Sequence, residues 1–262
     1  MEKWIDEAFA RACEKMERGA KRAAEQGIIP YMGQKDGYSP APYDGNSWWT
    51  GGFWPGIMWQ LYAATGRDVY KDEALRVEAL LTAELRSFML LNHDVGFMYL
   101  LSTGAHDRLI GDGQAWALYG LTLSGINTGD RKYIDVARKC AKYFIANIRE
   151  DGLTDCDFRQ PKDEERIDNI AGACAACGLL ELANVVGGDE AEAYRAAAMK
   201  LLTALNTLCA DWTDGNMGIL QKCTASYHND GAGRHVNILY GDYFFIEALC
   251  KLRGTDAKLW MA

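Results

Sequence analysis

The sequence predicts an all-α protein built from repeated helical hairpins, arranged as a curved or closed toroid. Three observations predict this fold class. Apolar residues recur at helical spacing over nearly the whole chain, and no segment alternates convincingly as a strand would. A glycine-containing stop signal recurs at similar intervals, and the helices between these signals fall into two compositional types.

The stop signals mark the ends of successive helical hairpins. They occur at intervals of 63, 59 and 66 residues, at Gly66, Gly129, Gly188 and Gly254. Glycine just past a helix end supplies the left-handed turn that other residues resist. Each interval has room for two helices and their connections, so the chain is predicted to be an array of hairpins.

The two helix types indicate an outer and an inner layer. Segments rich in Ala, Lys, Arg and Glu are predicted to be outer helices with one exposed face, at 2–26, 69–90, 131–149 and 190–211. Segments richer in glycine, aromatic and small residues are predicted to be inner helices, at 50–65, 94–109, 113–128, 166–186 and 236–253.

The alternation of the two types fails once. The inner segments 94–109 and 113–128 follow each other with only Ile110–Asp112 between them, so an outer helix is missing there. A toroid of six hairpins at ~60 residues each would need ~360 residues, whereas this chain has 262. We therefore predict one shortened domain over residues 1–262, with a seam near 110–113.

Composition excludes several classes of function. The net charge is -8, and no Lys/Arg block is long enough to indicate nucleic-acid binding. No run reaches the 18 apolar residues of a membrane span, and the amphipathic N-terminal segment lacks the apolar core of a signal peptide. A cytoplasmic location is therefore expected. The eight cysteines lie in helical patterns, and the Cys174/Cys177 pair has no second pair nearby, so we predict no metal and no cofactor.

The segment NSWWTGGFWPGIMWQLY is the first candidate for ligand binding. Trp48 and Trp49 precede a helix beside two glycines, where aromatic rings can stack on a sugar. Trp54 and Trp59 lie further along at helical spacing, and core packing explains them equally well.

Two later motifs contain polar residues at predicted helix starts. In NHDVGFMYLLSTG, Asp94 is either an N-cap or a carboxylate facing an aromatic cavity, and His93 is either a buried core residue or a ligand contact. In GDGQAWALYG, Asp112 is the predicted N-cap, while Gln114 and Trp116 lie in the first turn of the helix. Desolvation in such a cavity raises a carboxyl pKa and suits the group to proton transfer.

The C-terminal segment SYHNDGAGRHVNILYGDYFFIEAL joins a glycine-rich loop to the last inner helix. Arg234 is the best candidate for binding a carboxylate, because its planar fork donates two parallel hydrogen bonds. A surface arginine is the alternative. His228, on the same loop, is a further candidate for substrate binding, and Asp168 is predicted to cap the inner helix at 166–186.

These motifs together resemble the unsaturated glucuronyl hydrolases, glycoside hydrolase family 88. The resemblance rests on WWTGGFWPGIMWQLYAATG, HDVGFMYLLSTG, GQAWALYG, the Arg-x-Asp-Asn-x-Ala stretch at 166–171 and AGRHVNILYGDYFFIEAL, which occur in this order. It implies an (α/α) toroid of the six-hairpin type, shortened here by about three helices, a cytoplasmic location and no metal. The implied substrate is a lyase-generated oligosaccharide with a 4,5-unsaturated uronic acid at its non-reducing end.

The resemblance also implies a reaction and some of its residues. An aspartate protonates the double bond of the vinyl ether, water adds at C5, and the resulting hemiketal opens to release the sugar. Asp94 matches one of the two essential aspartates of the family and His93 its neighbour. Trp48 or Trp49, together with Trp116, match aromatic sugar contacts.

The second aspartate of the family lies in a stretch of about a hundred residues that is absent here, between the HDVGF and GQAW motifs. We hypothesise that Asp112 replaces it. Two alternatives stay open: a remnant that binds acidic sugars without turnover, and an incomplete toroid that completes its core as a homo-oligomer.

Overall fold

The structure, a computed structural model, describes residues 2–40, 48–87, 111–161, 165–225 and 233–260, without the side chains of residues 82–87 and 111–114. The chain packs as two compact units. Unit 1 comprises Met1–Ser102, Asp211–Ile219 and Asn237–Trp260. Unit 2 comprises Thr103–Ala210, Leu220–Val236 and Met261–Ala262. The single domain with a seam near 110–113 stays a prediction.

Helices dominate both units. Unit 1 contains α1 (Lys3–Gln26), α2 (Phe53–Thr65), α3 (Asp68–Ser87) and α8 (Leu239–Arg253). Unit 2 contains α4 (Gly111–Thr128), α5 (Arg131–Ala146), α6 (Asn169–Val186) and α7 (Gly188–Ala204), which continues as one wider turn over Leu205–Cys209. The predicted helix 94–109 lies outside the described residues.

Burial follows the predicted inner and outer types. The inner helices α6 and α8 are buried almost throughout, whereas α1 and α5 each bury a single stripe. Helix α6 is the one described segment whose length and composition would let it cross a membrane, and 83% of it is buried inside the chain, as in a core helix. The glycine stops are confirmed where α2 and α8 end, because Gly66 and Gly254 adopt φ of 68° and 70°.

A β-hairpin in unit 1 corrects the expectation that the chain has no strands. Strand β1 (Pro30–Gln34) pairs antiparallel with β2 (Gly37–Pro40). Both strands are too short for an alternating pattern to stand out against the helical signal. Two hydrogen bonds to Met217, a distant residue of the same unit, hold the hairpin in place. The hydroxyl of buried Tyr38 donates to the Met217 carbonyl at 3.2 Å, and the Met217 N–H donates to the Gln34 carbonyl at 2.9 Å.

Helices α2 and α3 are joined by a buried polar contact. The Trp54 indole, fully buried, donates to Glu73 Oε1 at 2.7 Å, and Arg76 grips both oxygens of the same carboxylate at 2.7 and 2.8 Å. A charged group survives in the core only when it is paired in this way. Trp54 is therefore a core residue, which settles one of the two alternatives for it.

The connection into α6 is fixed by hydrogen bonds within unit 2. As predicted, Asp168 caps α6, accepting from the Ile170 N–H at 3.2 Å and also from the Thr224 N–H at 3.1 Å. The Thr224 hydroxyl donates to the Ile167 carbonyl at 2.7 Å. The Ile167 N–H donates to His235 Nε2 at 3.0 Å, so this nitrogen must be unprotonated. Burial, and secondarily nearby Arg234, lowers the pKa of His235.

Trp54→Phe should destabilise the protein far more than Trp59→Phe, which makes a matched control. Both indoles donate to a glutamate of α3, since Trp59 donates to Glu78 at 2.6 Å, but only Trp54 is fully buried. We expect a loss of about 2 kcal/mol for Trp54→Phe and under about 1 kcal/mol for Trp59→Phe, measured by urea unfolding with far-UV circular dichroism. Equal losses would contradict the core assignment of Trp54.

Stability should decline as the pH falls from about 7 to about 5.5, and part of this decline should come from His235. Below the unfolded pKa of about 6.5 the unfolded chain binds a proton that the folded His235 resists, because its folded pKa is lower. His235→Gln keeps a hydrogen-bond acceptor for the Ile167 N–H and removes this titration. Thermal melts across this range should show a shallower pH dependence for the variant, and an unchanged slope would refute the assignment.

Candidate functional site

Two tryptophans stand where the chain enters α2. Trp49 begins a short 3₁₀ turn, Trp49–Gly52, and both Trp48 and Trp49 are partly exposed. Trp49 packs against Phe53, with ring centroids 6.1 Å apart, and against Tyr240 of α8 at 5.4 Å. Trp48 meets Tyr31 of β1 edge-on at 6.3 Å. The structure thus groups both tryptophans with rings from distant segments of unit 1.

The close approach of α2 to α8 supports this aromatic group. A Cβ on Gly56 would lie 2.7 Å from Tyr243 Cε2, so a larger residue there would push the helices apart. Phe53 packs edge-on against Tyr243 at 5.4 Å and lies 5.7 Å from Tyr240. The small residue that made α2 look like an inner helix therefore has a direct packing function.

Unit 2 holds the predicted carboxylate binder. Arg234 is half-buried, and one N–H of its guanidinium donates to the Glu165 carbonyl at 3.1 Å. The neighbouring His235 fixes the position of the Arg234 backbone, because His235 Nε2 accepts a hydrogen bond from the Ile167 N–H. Trp116, also in this unit, is half-buried on α4, next to fully buried Ala115. Arg234 therefore lies beside residues that are hydrogen-bonded to the start of α6 near Asp168.

The remaining predicted site residues are described only in part. His93, Asp94 and His228 lie outside the described residues. Asp112 and Gln114 belong to α4, but their side chains are not described. Because α4 includes Gly111, Asp112 lies inside the helix, and its prediction as N-cap is wrong. The helix begins two residues earlier than predicted, and Asp112 lies on it one turn before Trp116. The binding and catalytic roles of all these residues stay predictions.

The sequence analysis missed a buried polar network in unit 1. Asp242, in the first turn of α8, is fully buried and accepts from the Ile219 N–H and from Asn237 Nδ2, both at 3.0 Å. Asn237 Oδ1 in turn accepts from the Gly33 N–H at 2.9 Å. Two polar residues within the otherwise apolar run NILYGDYFF were the available signal.

A buried lysine holds the segment that precedes this network. Lys15 lies on the buried face of α1, only 2% exposed, and donates to the carbonyls of Asp211 at 2.6 Å and Thr213 at 2.9 Å. Burial lowers its pKa, while Asp211 and Asp242 oppose that shift. A lysine among the apolar positions of an amphipathic helix is a tertiary contact, and its partners lie almost two hundred residues away.

The described residues hold no cluster of three or more His, Cys, Asp or Glu side chains that could bind a metal ion. All eight cysteines lie in described segments and none is in a disulfide there; seven are buried, and Cys140 is partly exposed.

No protein-family model matches the chain. The chain is 24% identical to an unsaturated glucuronyl hydrolase of Bacillus sp. strain GL1, over 346 residues that cover 86% of this chain and 91% of that protein. It is 34% identical to an unsaturated glucuronyl hydrolase of Formosa agariphila over 154 residues, 56% of this chain but only 37% of the relative. The first alignment is longer than the 262 residues of the chain by 346 − 262 = 84, so at least 84 residues of the Bacillus protein have no counterpart here.

The structure is similar to the crystal structure of the unsaturated glucuronyl hydrolase from Bacillus sp. GL1, described as responsible for the degradation of glycosaminoglycan. The TM-score is 0.84 at 20% identity, with 97% of this chain and 99% of that chain covered. This likeness confirms the predicted fold class, all-α of the (α/α) helical-hairpin type. Sequence and fold together identify the chain as a shortened relative of the unsaturated glucuronyl hydrolases.

Proposed function

We propose that this chain is a cytoplasmic glycoside hydrolase that acts on a 4,5-unsaturated uronic acid at the non-reducing end of lyase-generated oligosaccharides. The observation that carries the proposal is the alignment with the Bacillus enzyme, which covers 86% of this chain and 91% of that enzyme. The family motifs that carry the sugar contacts occur in the same order in this sequence.

The proposed reaction is hydration of the vinyl ether. A carboxylic acid delivers a proton to C4, and water adds its oxygen to C5 while its remaining proton passes to a carboxylate. The hemiketal at C5 then opens: its hydroxyl loses a proton, the C5 bond to the ring oxygen breaks, and the ring oxygen takes up a proton, which leaves a ketone at C5 and a hemiacetal at C1. Collapse of this hemiacetal to an aldehyde breaks the C1 bond to the glycosidic oxygen, which takes up a proton as the sugar is released. Asp94 and Asp112 are the proposed pair. General acid–base catalysis of this kind contributes typically about 10²–10⁴-fold in rate.

The proposed substrate contacts divide between stacking and charge. The half-exposed rings of Trp48, Trp49 and Trp116 offer faces or edges for a sugar ring. Arg234 binds the uronate carboxylate through its fork, a geometry that lysine lacks. Gln114, His93 and His228 are proposed hydrogen-bonding partners of the sugar hydroxyls.

A second candidate function is binding of the same sugars without turnover. The specific observation in its favour is the long stretch of the Bacillus enzyme that this chain lacks. Loss of one of two cooperating carboxylates costs several orders of magnitude in rate. Binding through aromatic rings and one arginine needs no such pair, so it would survive the loss.

Turnover should depend on both proposed carboxylates. We expect the vinyl ether absorbance of an unsaturated chondroitin or heparin disaccharide to fall when the protein is added. Asp94→Asn and Asp112→Asn should each reduce the initial rate by about 100-fold or more. Asp189→Asn is the matched control, because Asp189 is likewise the second residue of its helix, is exposed, and should leave the rate unchanged.

Two outcomes would decide against this assignment. A normal rate in Asp112→Asn would eliminate Asp112 as the replacement carboxylate. No absorbance change at high protein concentration would eliminate turnover and leave binding as the function.

Binding should depend on the fork of Arg234 and not only on its charge. Arg234→Lys should raise the Kd for an unsaturated disaccharide by about tenfold, because lysine cannot donate two parallel hydrogen bonds to one carboxylate. Arg159→Lys, at an exposed arginine of the same unit, is the control and should bind as the unmodified chain does. Isothermal titration calorimetry measures both, and equal affinities would remove Arg234 from the site.

A further inference from the structure

His235 has a backbone conformation that few residues adopt. Its φ is 52°, in the left-handed region, where histidine is one of the few residue types other than glycine that occur repeatedly. The neighbouring backbone holds it there, because Val236 and Cys223 exchange two hydrogen bonds of 2.8 and 2.9 Å. The His235 N–H also donates to the Thr224 hydroxyl at 3.4 Å. Such strained residues persist where the surrounding structure fixes them, and they are concentrated at ligand-binding and active sites.

The imidazole of His235 is held in one tautomer. The backbone N–H of Ile167 donates to Nε2 at 3.0 Å, so Nε2 carries no proton. A neutral imidazole then has its proton on Nδ1, because the hydrogen bond at one ring nitrogen sets the state of the other. Nδ1–H is therefore a hydrogen-bond donor in a defined position, since the ring is anchored at its other nitrogen.

The surroundings of His235 keep its imidazole neutral. Burial is the largest cause that lowers the pKa of His235 below its usual range. Four charged groups also act on the ring, two cations that lower its pKa and two carboxylates that oppose them: Arg234 and Lys222, and Glu165 and Asp168. Near neutral pH the ring therefore offers a neutral N–H donor and not a second positive charge.

Nδ1 of His235 is available to a ligand. Among the residues that the structure describes, the imidazole makes no hydrogen bond other than the one from Ile167, and the side chain is partly exposed. The buried polar atoms that lack a partner in the described segments do not include Nδ1, so this nitrogen is in contact with solvent. A ligand that displaces this solvent meets a donor that is already positioned.

One short segment anchors both His235 and Arg234. The Arg234 guanidinium donates to the Glu165 carbonyl at 3.1 Å. The His235 imidazole accepts from the Ile167 N–H of the same segment. Glu165 and Ile167 are two residues apart, so the two contact points lie within about 7 Å of each other. The guanidinium and the imidazole therefore lie side by side on this segment, and one small anion can contact both.

We propose that His235 is a second carboxylate-binding residue, whose Nδ1–H donates to the uronate carboxylate that Arg234 also binds. The inference rests on the proposed function, because it takes the uronate sugar as the ligand. A carboxylate has about four acceptor positions and an arginine fork fills two of them, so it can accept from a third donor. A neutral donor adds a directional hydrogen bond, so His235 should fix the orientation of the sugar more than it increases long-range attraction.

Two amide variants separate this binding role from the contact to Ile167. His235→Gln keeps an acceptor near the position of Nε2 but has no donor near that of Nδ1. His235→Asn keeps a donor near the position of Nδ1 but leaves the buried Ile167 N–H without its acceptor, and asparagine tolerates the left-handed backbone. A purely structural role would make His235→Asn the more harmful change to affinity, whereas a binding role makes His235→Gln the more harmful one.

Isothermal titration calorimetry with an unsaturated chondroitin disaccharide, at about pH 7.5 where histidine is neutral, measures the difference. His235→Gln should raise the Kd by about tenfold, the effect of one hydrogen bond to a charged group, and His235→Asn by only about threefold. Thermal melts should show the opposite order, with the larger loss for His235→Asn. An unchanged Kd in His235→Gln, or a higher Kd in His235→Asn than in His235→Gln, would overturn the proposal.

NMR of the unmodified chain tests the same donor without any substitution. In a long-range proton–nitrogen spectrum, the His235 imidazole is identified by its absence in His235→Gln, and it should show its proton on Nδ1. The Nδ1 resonance should shift when the disaccharide is added. A proton on Nε2, or an Nδ1 resonance that does not respond to saturating disaccharide, would contradict the proposal.

Arg234→Lys separates a failure of this inference from a failure of the proposed function. If Arg234→Lys weakens binding and His235→Gln does not, the sugar site stands and only the role of His235 is wrong. If the unmodified chain does not bind the disaccharide at all, the proposed function and the role of His235 fail together.

Discussion

Two fully buried carboxylates hold the irregular parts of this chain onto the N-terminal ends of its inner helices. Asp168 does so in unit 2 and Asp242 in unit 1, and each accepts a hydrogen bond from a backbone N–H of a distant segment. Burial of a carboxylate costs free energy unless its oxygens accept hydrogen bonds. Each aspartate therefore favours the one loop arrangement in which those hydrogen bonds form. Tyr240 lies two residues before Asp242, and Arg234 precedes His235, whose Nε2 accepts from the N–H of Ile167, the residue before Asp168. The geometry of a ligand site in each unit therefore depends on the carboxylate of that unit.

Sequence reasoning succeeded where the signal is local. Helical periodicity located the helices of the described residues, glycine at position 66 marked a helix end that the left-handed turn confirms, and Asp168 was identified as a cap from its position before an apolar run. It failed where a contact joins distant segments. The hairpin formed by β1 and β2 is hydrogen-bonded to Met217, and the sequence of the hairpin contains no signal for this contact.

Site residues show the same division between local and distant information. That tryptophans precede α2 was visible in the sequence, but their grouping with Tyr31 and Tyr240 was not, because those rings come from segments far away in the chain. The helix that contains Asp112 begins two residues earlier than predicted, since a glycine on each side of Asp112 weakens any signal for the helix start. Helix boundaries are where propensity differences are smallest and tertiary packing decides.

The shortening of the chain has opposite consequences for the fold and for the chemistry. In an array of hairpins each helix contacts only its neighbours, so removal of an internal stretch leaves the remaining contacts intact and bares one face at the cut. Catalysis by two carboxylates tolerates such a loss less well than the fold does, because the effect of one group on the rate depends on the position of the other. The fold can therefore persist on local contacts alone, whereas the proposed reaction requires that Asp112, one turn before Trp116 on α4, supply the second carboxylate.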